Sequence, residues 1–320
     1  MTTTSNKSNK SNKKFESQFF VTKNQSEKIK QSKPLKLSDN FDSERQLIFE
    51  SYLCNLSELS LPATLDCGQC FRWRRDNSVN ELISYNGIVR GLPIRVWNAG
   101  DSVWARGCGT VEFWRNYFDL DRDYNAILSS VGFHPFTQAA IEYGRGLRVL
   151  RQDAWEMLGS YIISQNNNIP KICSSILKIC VLCGERIEFD GLEFYSFPSA
   201  DKILALDESE LRRAGLGYRS EYLFSAARAM VESEINLDEM RNLSTIEARE
   251  KLLSLRGVGP KVANCVLLFG LGKLDAFPID TWISKAAKYY DNKLDGTKFG
   301  KYAGIIQEYI FYYIRNLKEK

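Results

Sequence analysis

The 320-residue sequence has a single histidine, no run of about 18 apolar residues, and no excess of positive charge outside its first forty positions. Without an apolar run of that length a membrane-spanning helix is excluded, and no membrane partner is expected. The lone His134 stands beside Pro135 in a loop-like stretch and reads as an ordinary loop residue. Residues 1–40 hold nine lysines against Glu16, Glu27 and Asp39, a net +6, which leaves 34 basic and 36 acidic residues, a net −2, in the remainder. Composition therefore makes no electrostatic case for nucleic acid in the folded part, and any such case must rest on local sites. No secretory signal opens the chain, so its eight cysteines are expected as free thiols in a reducing, intracellular setting. Cys67/Cys70 and Cys180/Cys183 have the C-x-x-C spacing of half a metal site, but no histidine lies near either pair. No metal is expected.

With 44% hydrophobic residues the chain has ample material for a packed core. Residues 1–40, rich in Ser, Asn, Lys and Gln, are too polar to bury enough surface to fold and are expected to be a disordered basic tail. From 41 to 145 short runs with strand character follow one another, at Arg45–Leu53, Gln69–Trp73, Leu82–Val89, Ile94–Trp97 and Val103–Ala105, punctuated by turns such as Asn86-Gly87. An antiparallel sheet is predicted. From 146 to 320 the apolar period becomes helical, with helices predicted at Trp155–Ile163, Lys171–Leu182, Glu208–Ala214, Glu221–Glu234, Ile246–Leu253, Lys261–Phe269, Thr281–Tyr290 and Tyr302–Asn316. The fold class is α+β, an N-terminal sheet domain followed by a mostly helical one.

Leu255-Arg256-Gly257-Val258-Gly259-Pro260-Lys261 sets two glycines between two helical patterns. Gly257 and Gly259 permit a tight turn, Pro260 suits the first turn of the next helix, and the backbone N–H groups at such a turn suit a phosphate oxygen. This is the helix-hairpin-helix pattern, a sequence-independent grip on a DNA backbone. Lys261 and Cys265 are four apart and share one helix face, whereas Val262, Val266 and Phe269 are assigned to the core-packing face. A lysine at the mouth of an apolar helix is partly desolvated, which frees its amine to attack carbon; its plainer role is phosphate contact. Nineteen residues on, Asp280 opens the next helical pattern. It reads both as a helix N-cap and as a carboxylate able to stabilise positive charge beside the lysine.

These residues resemble the helix-hairpin-helix glycosylase superfamily, whose signature is this hairpin followed by an essential aspartate. A lysine after the second glycine resembles its bifunctional members, which remove a base and nick the strand. No cysteine follows Asp280, so the four-cysteine iron–sulfur cluster of the endonuclease III branch lacks its ligands. Four further stretches resemble the 8-oxoguanine DNA glycosylase family, and with the hairpin they span about 45 to 315: Gly68-Gln69-Cys70-Phe71-Arg72-Trp73, Ser164-Gln165-Asn166-Asn167-Asn168, Leu216-Gly217-Tyr218-Arg219, and Tyr302-Ala303-Gly304 through Gln307 and Phe311.

The resemblance implies excision of 8-oxoguanine from duplex DNA by Lys261 through a Schiff base, assisted by Asp280, with an associated lyase step. Oxidation at C8 turns guanine N7 into an N–H donor, and Gly68 is the family position whose carbonyl accepts from it. Cys265 and Phe311 would sandwich the flipped base, and Gln307 would hydrogen-bond it. Tyr218 would wedge the duplex, Arg219, read as a loop residue with no buried partner, would contact the orphaned cytosine, and Asn166 would fill the gap. The family's eukaryotic members carry arginine where Lys171 stands, and arginine's fork is not replaced by lysine, so preference for cytosine opposite the lesion is open. Trp282 stands where a phosphate-contacting histidine is usual in animal enzymes. The expected protein is a monomer acting on double-stranded DNA, without cofactor or metal although a monovalent cation at the hairpin is compatible, and nuclear if the source is eukaryotic, otherwise in the cytoplasm or nucleoid. Two other readings stand beside it, a broader oxidised-purine glycosylase without opposite-cytosine preference and a non-enzymatic damage-binding module.

Overall fold

Residues 47–77 and 82–317 are described by a computed structural model; the expected tail at 1–40 lies outside them, as does the start of the first expected strand. Alternating patterns and two-residue turns build one five-stranded antiparallel sheet from β1 (Ile48–Asn55), β2 (Arg74–Arg75), β3 (Ser84–Val89), β4 (Leu92–Ala99) and β5 (Ser102–Cys108), in the order β1-β5-β4-β3-β2. Arg90 and Gly91 both adopt positive φ, at 50° and 76°, which suits the tight β3–β4 hairpin pairing Val89 with Leu92. The register of β1 on β5 shifts between Tyr52 and Cys54. On the buried face Leu53, Tyr85, Ile94, Val96 and Val103 pack with Trp114 into a first core.

The stretch at Gln69–Trp73 is a correction. It forms no strand; only Arg74 and Arg75 pair, with Asn86 and Tyr85. The stretch is anchored through Gln69 instead of a ladder. The fully buried Gln69 amide donates to the carbonyls of Thr64 (2.9 Å) and Arg148 (2.8 Å) and accepts from the Leu150 N–H (2.8 Å), while Gln152 donates to the Gln69 carbonyl (2.7 Å). These bonds replace the pairing that apolar alternation suggests.

Helices also begin earlier than the change of period predicts: α1 (Leu61–Leu65), α2 (Val111–Tyr117), α3 (Tyr124–Ser130) and α4 (Pro135–Tyr143). His134 is the N-cap position of α4, and its ring stacks on Tyr290 at 4.0 Å. The helical half follows as α5 (Ala154–Ser164), α6 (Ile169–Cys183), α7 (Ala200–Leu204), α8 (Glu208–Leu211), α9 (Arg219–Val231), α10 (Leu237–Met240), α11 (Thr245–Leu253), α12 (Pro260–Cys265), α13 (Thr281–Ala286) and α14 (Ala303–Asn316). A π-helical turn, Val266–Gly270, extends α12. Between α6 and α7 lies a hairpin of β6 (Arg186–Phe189) and β7 (Leu192–Tyr195) that helical periodicity does not predict.

The second core centres on α5, α12 and α14 and draws in Phe71, Tyr124, Ile127 and Phe136 from the first half. Arg72 joins the halves through a buried ion pair with Glu156 on α5 (2.9 Å) and a bond to the Tyr195 carbonyl. The architecture is thus α+β, an antiparallel sheet followed by a mostly helical part.

Candidate active site

Helix α11 is set by a capping box in which Ser244 and Glu247 satisfy each other's backbone N–H groups. Its exit turn needs glycine at 257. There φ is +79°, and an added Cβ would stand 2.2 Å from Cγ of Tyr222. Gly259 then occupies the N-cap of α12, with Pro260 in the first turn. The hairpin therefore delivers Lys261 half-buried at the start of α12, its Nζ 5.0 Å from the ring centroid of Tyr161.

One cleft gathers residues from five separate segments. Lys261, Cys265 and Phe269 come from α12 and its extension, Asp280 from the start of α13, Gln307, Glu308 and Phe311 from α14, Tyr161 from α5, and Gly68 from the loop after α1. Phe269 belongs to this wall and not solely to the core face expected for it. It stacks on Tyr161 with centroids 5.7 Å apart, and the two rings form an aromatic floor. Asp280 uses Oδ1 to cap α13, accepting from the N–H groups of Trp282 (2.9 Å) and Ile283 (2.8 Å). Capping fixes the carboxylate's position, and its second oxygen takes no part in the cap.

Burial pushes the Cys265 thiol up to about 12, against the lowering influence of Lys261, so this wall stays uncharged. The Gln307 side chain is only 3% exposed, and its Oε1 has no hydrogen-bond partner. A buried acceptor left bare at the lip of a cleft is what a polar ligand would satisfy. Gly68 adopts φ +110°, and an added Cβ would lie 3.1 Å from Arg315 Nη1 and 3.2 Å from Ile169 Cδ1. Arg315 holds this loop by donating to the Cys67 carbonyl at 2.5 Å. Backbone shape and close packing therefore both call for glycine at 68.

Residues 51–158 match the family described as 8-oxoguanine DNA glycosylase, N-terminal domain, and residues 160–297 match the HhH-GPD superfamily of base excision DNA repair proteins. An N-glycosylase/DNA lyase of Arabidopsis thaliana is 32% identical over 285 residues, covering 80% of this chain and 77% of the relative. The chain belongs to the 8-oxoguanine DNA glycosylase family.

A second relative, the N-glycosylase/DNA lyase of Saccharomyces cerevisiae, is 32% identical over 264 residues, covering 75% of this chain and 70% of its own length. The structure of the Clostridium acetobutylicum 8-oxoguanine glycosylase/lyase, in complex with double-stranded DNA containing cytosine opposite 8-oxoG, superposes with a TM-score of 0.77 at 34% identity, covering 85% of this chain and 98% of that one.

In this member of the 8-oxoguanine DNA glycosylase family Asn166, Tyr218 and Arg219, three of the residues expected to contact the duplex, form a second group. Asn166 adopts φ +47° in the link between α5 and α6, and Tyr218 is exposed with the Arg219 guanidinium 4.6 Å from its ring centroid. Arg219 corrects the expectation of a loop residue with no buried partner. It is the first residue of α9, only 7% exposed, and donates to the carbonyls of Gln165 (2.7 Å), Asn166 (3.0 Å) and Leu216 (3.2 Å). Those carbonyls end one helix or lie in the links between helices, where backbone acceptors need partners. Lys171 is exposed in the first turn of α6, and Trp282 receives the ammonium of Lys285 over its ring at 4.4 Å. Tyr161 and Glu308 carry no motif signal of their own. Glu308 could have been found as a carboxyl set within the apolar run Ile305-Ile306 and Tyr309-Ile310. Among the described residues no cluster of three or more metal-ligating side chains occurs.

Proposed function

We propose that this protein removes 8-oxoguanine from duplex DNA with Lys261 as nucleophile and then nicks the strand at the resulting site. The observation that carries this reading is one cleft in which an amine, a carboxylate, the uncharged side chains of Cys265 and Phe311, and a bare buried acceptor meet from distant parts of the chain. The Lys261 nitrogen attacks C1′ as the C1′–N9 bond breaks, and the bonding pair leaves with the base. Asp280, held by its capping bonds, offsets the positive charge that develops on the sugar. Loss of a proton from nitrogen and opening of the sugar ring yield the Schiff base. Removal of a C2′ proton then expels the 3′ phosphate.

Recognition divides between the ring faces and the ring edge. Cys265 and Phe311 supply uncharged walls for stacking, the Gly68 carbonyl accepts from N7–H, which guanine lacks, and Gln307 meets the Watson–Crick edge. Gly257 and Gly259 turn the hairpin N–H groups towards phosphate. We assign duplex contacts to Asn166, Lys171 and Tyr218. Arg219 shapes the link beneath them and reaches the opposite strand only by exchanging its present carbonyl partners. None of these steps needs a cofactor, and a monomer suffices because one chain supplies every group named.

Borohydride trapping on a duplex containing 8-oxoguanine tests the nucleophile. Wild type should give a covalent adduct that Lys261→Gln does not. An undiminished adduct in the variant would sink the assignment, and the absence of excision by wild type would sink the activity itself.

A further inference from the structure

Glu308 follows Gln307 on α14 and lines the same cleft. It is 2% exposed, and its Oε1, like that of Gln307, has no hydrogen-bond partner. Two adjacent buried acceptors without partners in one cleft are an unusual pairing, because buried polar atoms are nearly always satisfied. We propose that Glu308 is a further base-reading residue of this pocket, its Oε1 accepting a hydrogen bond from a ring-edge N–H of the flipped base beside Gln307. The proposal rests on the cleft being the lesion pocket.

The surroundings favour a neutral carboxyl. Cys67 approaches from the loop after α1, its thiol donating to the Thr64 carbonyl at 3.2 Å and accepting from the Gln69 amide at 3.4 Å, and Cys70 lies in the same loop. Tyr161 faces it from α5, Cys265 and Lys261 from α12, Asp280 from α13 and Arg315 from its own helix. Burial pushes the Glu308 carboxyl up to about 7; the neighbouring Cys67 thiol and Arg315 oppose this, while the Asp280 charge adds to it. In the neutral acid one oxygen bears the proton, which leaves the other as a carbonyl-type acceptor. A guanine-type base presents N1–H and an exocyclic amine on the edge that Gln307 meets, so a second acceptor there has a donor to receive. The departing base carries away the electron pair of the broken bond. A neutral carboxyl does not oppose that charge, whereas an ionised one beside Asp280 does.

The test compares two single-turnover rates, excision of 8-oxoguanine and lyase cleavage of a preformed abasic duplex that has no base to read. Glu308→Met, which keeps the volume and removes both oxygens, should lower the excision-to-lyase ratio about tenfold or more, and Glu308→Gln, which keeps an acceptor and a donor, should stay within about threefold of wild type. In wild type the ratio should fall as pH rises through about 7, and in Glu308→Gln this fall should be lost. The wild-type profile remains decisive even if the Met variant does not fold. An unchanged ratio in Glu308→Met, or a flat wild-type profile, overturns the proposal. A wild type that cleaves abasic DNA but excises no 8-oxoguanine overturns the assignment of the lesion instead.

Discussion

Replacing Glu308 by glutamine removes one titrating proton from the interior while keeping the shape of the side chain. Burial raises this carboxyl from 4.5 to about 7 in the folded protein. Below pH 4.5 both folded and unfolded chains hold the proton, and the group makes stability independent of pH. Between 4.5 and about 7 the unfolded chain releases the proton and the folded chain retains it, so stability falls as pH rises; above about 7 both are ionised and the deficit levels off. At about 1.4 kcal/mol per unit, the full deficit is about 3 kcal/mol, of which about 2.5 kcal/mol develops between pH 5 and pH 8. Glutamine cannot ionise. The unfolding free energy of Glu308→Gln should therefore increase relative to wild type, in the stabilising direction, by about 2.5 kcal/mol from pH 5 to pH 8. Urea titrations followed by tryptophan fluorescence at several pH values measure this directly. A difference between the two proteins that is the same at pH 5 and pH 8 would refute the raised carboxyl.

Gly257→Ala forces a Cβ to within 2.2 Å of Tyr222 at a φ of +79°; a loss of about 2 kcal/mol in stability and weaker, still salt-dependent binding of undamaged duplex are expected from unfolding and fluorescence titrations. Glu156→Ala leaves the Arg72 guanidinium buried without its carboxylate and should cost about 3 kcal/mol in a denaturant titration. Arg219→Ala removes the donor to three carbonyls and should lower stability by about 2 kcal/mol while reducing excision opposite all four bases alike. A loss confined to cytosine would make its guanidinium a base reader, and the same assay on Lys171→Ala tests that residue's share.

Features whose physical cause is local were legible in the sequence alone. The hairpin could be read because Gly257, Gly259 and Pro260 restrict the backbone wherever they stand, and Asp280 as an N-cap because its acceptor reaches only the next N–H groups in the chain. The β6–β7 hairpin was legible in principle too: Asp190 and Gly191 form its turn at φ +48° and +74°, between strands of alternating character. Tertiary structure decided the rest, because the partners lie far away in sequence. Gln69–Trp73 has the residues of a strand but finds its hydrogen bonds on Thr64, Arg148, Leu150 and Gln152, and Arg219 is buried only because Gln165, Asn166 and Leu216 turn their carbonyls towards it. Lys261 as a lysine after a hairpin is a local fact. Its place against Tyr161, in one cleft with Gly68, Asp280, Gln307 and the buried carboxyl of Glu308, exists only after α5, α12 and α14 have packed, since burial and charge depend on neighbours that no stretch of sequence contains.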